Sequence, residues 1–127
     1  MALADARQRY ALRWVELLES VAKRTSDNRH ADTISARDVP WPCLVPPRGS
    51  IPADLSATAI AQIVMPDTAD ASERRRSLLT EQRRWHPDKF AARFAAQLLE
   101  DEAEAVLESV KAVSQALNEL LQQNAAA

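Results

Sequence analysis

At 127 residues, with a net charge of −2 and a single glycine, the chain fits one helical domain with a core large enough to fold without staples, and its composition argues against a strand-and-turn architecture. The lone cysteine, Cys43, excludes an internal disulfide. No apolar run approaches the roughly 20 residues of a membrane span, and the acidic balance argues against general nucleic-acid binding while allowing local basic patches. The start, Met1-Ala2-Leu3-Ala4-Asp5, has neither the basic nor the apolar region of a signal peptide. An intracellular monomer, in cytoplasm or nucleus, is the expectation.

Residues 4–23 read as an amphipathic helix. Tyr10, Trp14, Leu17, Leu18 and Val21 share one face, and Arg7, Arg9, Arg13, Glu16 and Glu19 fill much of the rest. Such a face most often serves packing, so large side chains are expected in the core. Residues 25–31 are polar and read as a loop, with His30 lacking partners at metal-ligand spacing.

The stretch Val39-Pro40-Trp41-Pro42-Cys43-Leu44-Val45-Pro46-Pro47 holds too much proline for a helix or a central strand. It should run extended over the domain, with Trp41 tucked into a groove between helices. A proline-rich ligand for an aromatic-lined module is the alternative, but the apolar Trp, Leu and Val favour self-docking.

A short helix is expected over about 54–65. Ser56 can cap it, Leu55 and Ile60 form a hydrophobic staple, Ile60, Ile63 and Val64 give a buried face, and Pro66 ends it. Asp70-Ala71-Ser72-Glu73 has capping-box form and opens a helix over about 70–85. Its apolar side is Leu78, Gln82 and Trp85, with Leu79 beside it, and Arg75 falls near that side by angle. Arg76, Arg83 and Arg84 lie opposite. Six basic and three acidic residues between Glu73 and Lys89 make this the basic part of an acidic chain. A solvated face is the ordinary meaning of such a run.

The end of the run sets it apart from an ordinary charged helix. In Arg83-Arg84-Trp85-His86-Pro87-Asp88-Lys89-Phe90, Pro87 has no N–H and pushes His86 out of the α region. The helix must stop there, displaying an imidazole and a carboxylate on a bend between two helices. Phe90 and Phe94 should pack on one side of an irregular or helical turn. Glu100, Asp101, Glu102 and Glu104 place negative charge where a helix dipole favours it. That helix should span about 100–122, with Val106, Val110, Val113, Ala116, Leu117, Leu120 and Leu121 as its apolar stripe. It should pack antiparallel to the basic helix, its acidic start approaching Arg83 and Arg84.

Catalytic signatures are missing from the sequence: it has no glycine-rich phosphate loop, metal-ligand cluster or Ser/His/Asp spacing. His86 and Asp88 are two residues apart with no nucleophile nearby. A non-enzyme without cofactor or metal is expected.

Together these features resemble a J-domain, the module by which DnaJ-type co-chaperones engage DnaK-type heat-shock ATPases. In that family a short helix precedes a basic one, a His-Pro-Asp loop comes next, and a third helix packs antiparallel to the second. Ile63, 23 residues before His86, resembles the leucine closing the first helix. Val110, Val113, Ala116, Leu117 and Leu120 resemble the third-helix pattern, and Trp85 and Lys89 match the residues flanking the tripeptide. There are departures. Val64 and Met65 stand where glycine is customary, Glu81 and Gln82 where apolar or small residues are common, and Phe90 where a polar one is usual. The segment 90–105 is longer than the family's loop. Arg83 to Phe90, Arg93-Phe94 and Leu117-Asn118-Glu119-Leu120-Leu121 are more similar to the divergent J-like segment of NF-kappa-B-inhibitor-like proteins. Similar segments occur in uncharacterised fungal proteins, whose N-terminal region also resembles Tyr10–Trp14 and the Trp41 arm.

The resemblance implies an all-α fold, with a J-like helical hairpin (about 70–85 and 100–122), the short preceding helix and the added N-terminal helix and Pro/Trp-rich arm. It divides one domain over 1–127 into helix and arm (1–53), J-like core (54–122) and tail (123–127). It implies a co-chaperone that binds the ATPase domain of a DnaK-type chaperone and stimulates hydrolysis. Arg76, Arg83 and Arg84 would face an acidic patch, and His86, Pro87, Asp88 and Lys89 would make the contact at the bend. Two alternatives stay open. One is a non-chaperone interaction domain on the same scaffold, in a nuclear or RNA-processing assembly, which an arm lying across Arg76 and Arg83 would favour. The other is a nucleic-acid contact through the 74–89 face, which lacks stacking platforms.

Overall fold

The computed structural model describes residues 2–26, 34–44, 51–65 and 70–126. Five α-helices form: α1 (Ala2–Ser26), α2 (Ala57–Val64), α3 (Ala71–Trp85), α4 (Pro87–Phe94) and α5 (Glu100–Ala126). Two short 3-10 turns, Ala36–Asp38 and Ala95–Gln97, complete the secondary structure apart from one isolated bridge, Ile34 to Leu98, and there is no β-strand among the described residues. The all-α expectation holds.

α1 forms for the reason its periodicity gives: Ala6, Tyr10, Trp14 and Leu17 recur on one face and are all buried. It runs a few residues beyond 4–23 at each end, so Thr25 and Ser26 are helical. Leu18 departs from expectation. It lies 100° around the helix from Leu17 and is 38 % exposed. His30 falls outside the described residues, as do Val45, Pro46, Pro47 and Pro66.

The Pro/Trp arm belongs to the core. Ile34 N–H donates to the Gln97 carbonyl at 2.7 Å and Leu99 N–H to the Ile34 carbonyl at 2.9 Å, pinning the arm to the segment before α5. Glu102 then accepts the Ala36 N–H at 2.8 Å. Val39, Pro40, Trp41 and Pro42 are all buried. The Trp41 Nε1–H reaches the Ala36 carbonyl at 2.9 Å, and its ring stacks on Trp85 with centroids 5.6 Å apart. Self-docking of Trp41 is what the fold uses.

α2 starts at Ser56, whose hydroxyl accepts the Ala59 N–H. Ile60, Ile63 and Val64 are buried, and Leu55 is partly buried against the core. At its other end Arg7 of α1 donates to the carbonyls of Gln62 and Met65 at 2.9 and 3.0 Å. These are among the last carbonyls of a helix, which have no partner within it.

α3 and α5 make the antiparallel hairpin. Asp70 caps α3 by accepting the Glu73 N–H at 2.8 Å. Asn124 accepts from the Arg74 guanidinium at 3.2 Å and donates to the Ala71 carbonyl at 3.0 Å. Further along, the Gln82 amide donates to the Asn118 side-chain carbonyl. α5 buries Val106, Val110, Val113, Ala116, Leu117 and Leu120, while Leu121 is half-buried. The bend does not lead directly into the long helix, because α4 stands between them, its Phe90 and Phe94 buried. One buried cluster joins side chains from the arm and all five helices.

Candidate functional site

His86 is the single residue between α3 and α4. Its backbone (φ −58°, ψ 123°) is the extended conformation that a following proline enforces, so it ends one helix and caps the next. Pro87 sits at the first position of α4, where a missing N–H leaves no bond unmade. The Phe90 N–H closes the first turn onto the His86 carbonyl at 2.8 Å. Asp88 and Lys89 therefore project from the N-terminal turn of α4, where the dipole favours the carboxylate. His86, Asp88 and Lys89 are exposed and Pro87 is half-buried.

Beneath this corner the rings of Trp85 and Phe90, on either side of the bend, stack with centroids 5.9 Å apart and planes 7° from parallel. Trp14 meets Trp85 edge-on at 5.3 Å and Phe94 packs on Phe90 at 4.8 Å. Phe90, a departure from the J pattern, is thus the inner clamp of the bend.

The basic residues divide. Arg76 and Arg83 are exposed and, seven residues apart, lie on one face two turns from each other. Arg84 does not join them on the solvent face, contrary to the helical-wheel reading. Its Nη1 bonds Glu81 Oε1 at 3.1 Å and its guanidinium lies 5.5 Å over the Trp14 ring. Residue 84 is turned 100° from residue 83, toward α1, and an arginine there finds a carboxylate and an aromatic face. Arg75, near the apolar side by angle, is exposed. Nor does the acidic start of α5 meet Arg83 and Arg84. Asn118 is the residue opposite Gln82, which puts 100–104 more than roughly 20 Å further along the axis at ~1.5 Å per residue.

Glu81 replaces Gln82 on the buried side and anchors a polar network that the sequence pattern did not reveal. The Trp85 indole donates to the Tyr10 oxygen at 2.9 Å, and the Tyr10 hydroxyl donates to Glu81 Oε2. Burial raises the Glu81 carboxyl above the usual carboxylate range, although the Tyr10 hydroxyl and Arg84 pull the other way. Tyr10 is pushed well above an ordinary phenol, first by burial and then by the adjacent Glu81 charge. A carboxylate three residues from Leu78 and four from Trp85 on a helix was the available signal, with a tyrosine on another helix face to receive it.

Arg83, His86, Pro87 and Lys89 are brought together around a groove of about 510 Å³, with Gln82, Ser114 and Asn118 completing its wall. Arg76, two turns away, Arg84, turned inward, and Asp88 are outside it. Neither Arg76, Arg83 nor Lys89 has an ion-pair partner among the described residues. The described part of the arm is held by Trp85, Arg9 and the segment before α5, and Arg76 and Arg83 stay exposed. No group of three or more His, Cys, Asp or Glu is placed to hold a metal ion, and no helix is long and apolar enough to cross a membrane, among the described residues.

The model of the NF-kappa-B inhibitor-like protein 1 C-terminal domain matches residues 57–125, more than half of the chain, which therefore belongs to that family. The match runs from the start of α2 almost to the end of α5, leaving α1 and the Trp41 arm outside it. No solved structure matches the chain.

Proposed function

We propose that this member of the family is a J-domain-like co-chaperone module that acts inside the cell, binding the ATPase domain of a DnaK-type chaperone and promoting its ATP hydrolysis. The observation that carries the proposal is the corner itself: His86, Asp88 and Lys89 exposed on a rigid one-residue break, with Arg83 beside them and no internal carboxylate to occupy it among the described residues. Arg76 and Arg83 steer an acidic surface into register, the kind of contribution rim charges make to encounter rate and orientation. His86, Pro87 and Asp88 then bind one conformational state of the ATPase more tightly than the other, which is sufficient to shift its equilibrium. The module forms and breaks no covalent bond itself. Arg84, a contact residue by resemblance, is given a supporting role, since it is committed to Glu81 and Trp14.

The test is ATPase stimulation of a DnaK-type chaperone from the same organism by the native chain and by Asp88→Asn. Asp88 is exposed and its charge lies at the start of α4, so the variant should melt within about 1 kcal/mol of the native protein, the size of a helix-dipole contribution, and yet lose stimulation. Equal stimulation by both proteins would refute the assigned role of the bend. Stimulation by neither would leave the rival reading, a J-like scaffold serving a non-chaperone assembly in the nucleus or in RNA processing. The withdrawal of Arg84 from the basic face and the presence of α4 after the proline favour that rival.

A further inference from the structure

We infer that the groove between α3 and α5 is a binding site for an extended, carboxylate-bearing segment of the partner protein, with Ser114 and Asn118 of α5 as its floor. The inference rests on the docking surface proposed above and extends it from the bend and the basic helix onto a second helix. The groove's chemistry is one-sided. Arg83, His86 and Lys89 stand on its wall, and none of the seven lining residues is acidic. The Gln82 amide donates to the Asn118 carbonyl. This occupies the acceptor of Asn118 and leaves its two N–H donors for a ligand. Ser114 is only 9 % exposed. Its hydroxyl has no hydrogen-bond partner among the described residues and is not one of the side-chain oxygens closed off from solvent, so it opens into the groove.

A site that offers N–H donors and cations, with an unpaired hydroxyl open to the groove and free to donate, fits a ligand group that only accepts. An ionised carboxylate is such a group, and its hydrogen bonds to charged donors are the strong ones. The volume of about 510 Å³ accommodates several side chains of an extended peptide. A nucleic-acid strand would also bring anions, but base stacking needs exposed rings. Tyr10, Trp14, Trp41, Trp85, Phe90 and Phe94 are all buried.

The experiment is a titration of the full chain with two labelled peptides, one rich in Asp and Glu and the other its Asn and Gln counterpart, followed by fluorescence anisotropy and by backbone amide shifts. The acidic peptide should bind at least tenfold more tightly than its neutral counterpart and shift the amides of Gln82, Ser114 and Asn118. Asn118→Asp, an exposed change on α5, should weaken that binding at least tenfold with helicity unchanged; Ser114→Ala should weaken it less. Equal binding of the two peptides overturns the inference. So do shifts confined to α3, or tighter binding of a single-stranded RNA oligomer of the same charge. The same Asn118→Asp protein is assayed for chaperone stimulation. Peptide binding without stimulation by the native chain removes the co-chaperone reading and keeps the groove. Stimulation that survives in Asn118→Asp, with no acidic-peptide binding by the native chain, does the reverse.

Discussion

Replacing Glu81 tests the least expected feature of the fold. Its carboxyl, on a residue only 7 % exposed, accepts the Tyr10 hydroxyl and bonds Arg84. Glu81→Ala leaves the Tyr10 hydroxyl proton without an acceptor in a buried site, a penalty of about 1–3 kcal/mol. Arg84 adds little, because its side chain is 35 % exposed and water can replace the carboxylate. A loss of about 2 kcal/mol translates into roughly 8 °C of melting temperature for a domain of this size. Glu81→Gln keeps an acceptor for Tyr10 and should lose less than about 1 kcal/mol at neutral pH.

The pH dependence separates the two forms of Glu81. Its folded pKa is raised, mainly by burial, so the folded state holds the proton more tightly than the unfolded state. The resulting stability is fully present below the unfolded value of about 4.3 and is lost as pH rises through the folded value. Glutamine cannot titrate. The native protein should therefore gain on Glu81→Gln as pH falls from 8 toward 4.5. Paired thermal melts across that interval, monitored by far-UV circular dichroism, measure the gap. A gap that stays constant or narrows toward acid pH would refute the reading of Glu81 as a buried carboxyl that favours its neutral form.

The packing sets three further outcomes. Trp41→Ala removes a ring that is 3 % exposed and stacked on Trp85, and should destabilise by about 3–5 kcal/mol; an effect below about 1 kcal/mol in urea melts would mean that the arm is a dispensable strap. Asp70→Ala, which removes the side chain capping the Glu73 N–H, should lower stability by about 1 kcal/mol in the same melts and leave peptide and chaperone binding unchanged. Tyr10→Phe should be less stable than the native chain at neutral pH. Because the Tyr10 pKa is raised by burial and by Glu81, the native advantage is present below about pH 10 and is lost as pH rises through the folded value, so melts at pH 9 and pH 11 should show the gap closing.

The helices themselves were legible because their signals are local. Tyr10, Trp14 and Leu17 fix the face of α1, Ser56 and Asp70 mark helix starts, and Pro87 fixes the end of α3 at Trp85. Trp41 could be placed in the core from composition alone, since a tryptophan between two prolines is expensive to leave in water. The destinations of Glu81 and Arg84 were not legible. A helical wheel gives the angle of a side chain but not what faces it, and the Tyr10 hydroxyl that receives Glu81 comes from 71 residues away. α4 was half visible, as Phe90 and Phe94 four apart. Its role as a separate helix depends on Trp85 offering Phe90 a parallel ring, which no local pattern encodes.

The residue at the end of α3 connects the N-terminal additions to the bend. Trp85 touches Trp14 of α1, Trp41 of the arm and Phe90 of α4, and it donates to Tyr10. It is also the residue immediately before His86. Three of those four partners come from segments outside the family match, which begins at residue 57. α1 and the arm therefore act as a buttress behind the corner, leaving its outer side open. Fixing Trp85 fixes the last turn of α3, and with it the direction in which His86 leaves the helix and the start of α4 at Pro87. In a site whose function is recognition, every rotamer and dihedral settled beforehand is entropy that a partner does not have to remove on binding. The aromatic cluster thus contributes twice, once to folding through burial and once to docking through preorganisation. This explains why so many large rings stand behind a corner whose own surface is small and polar.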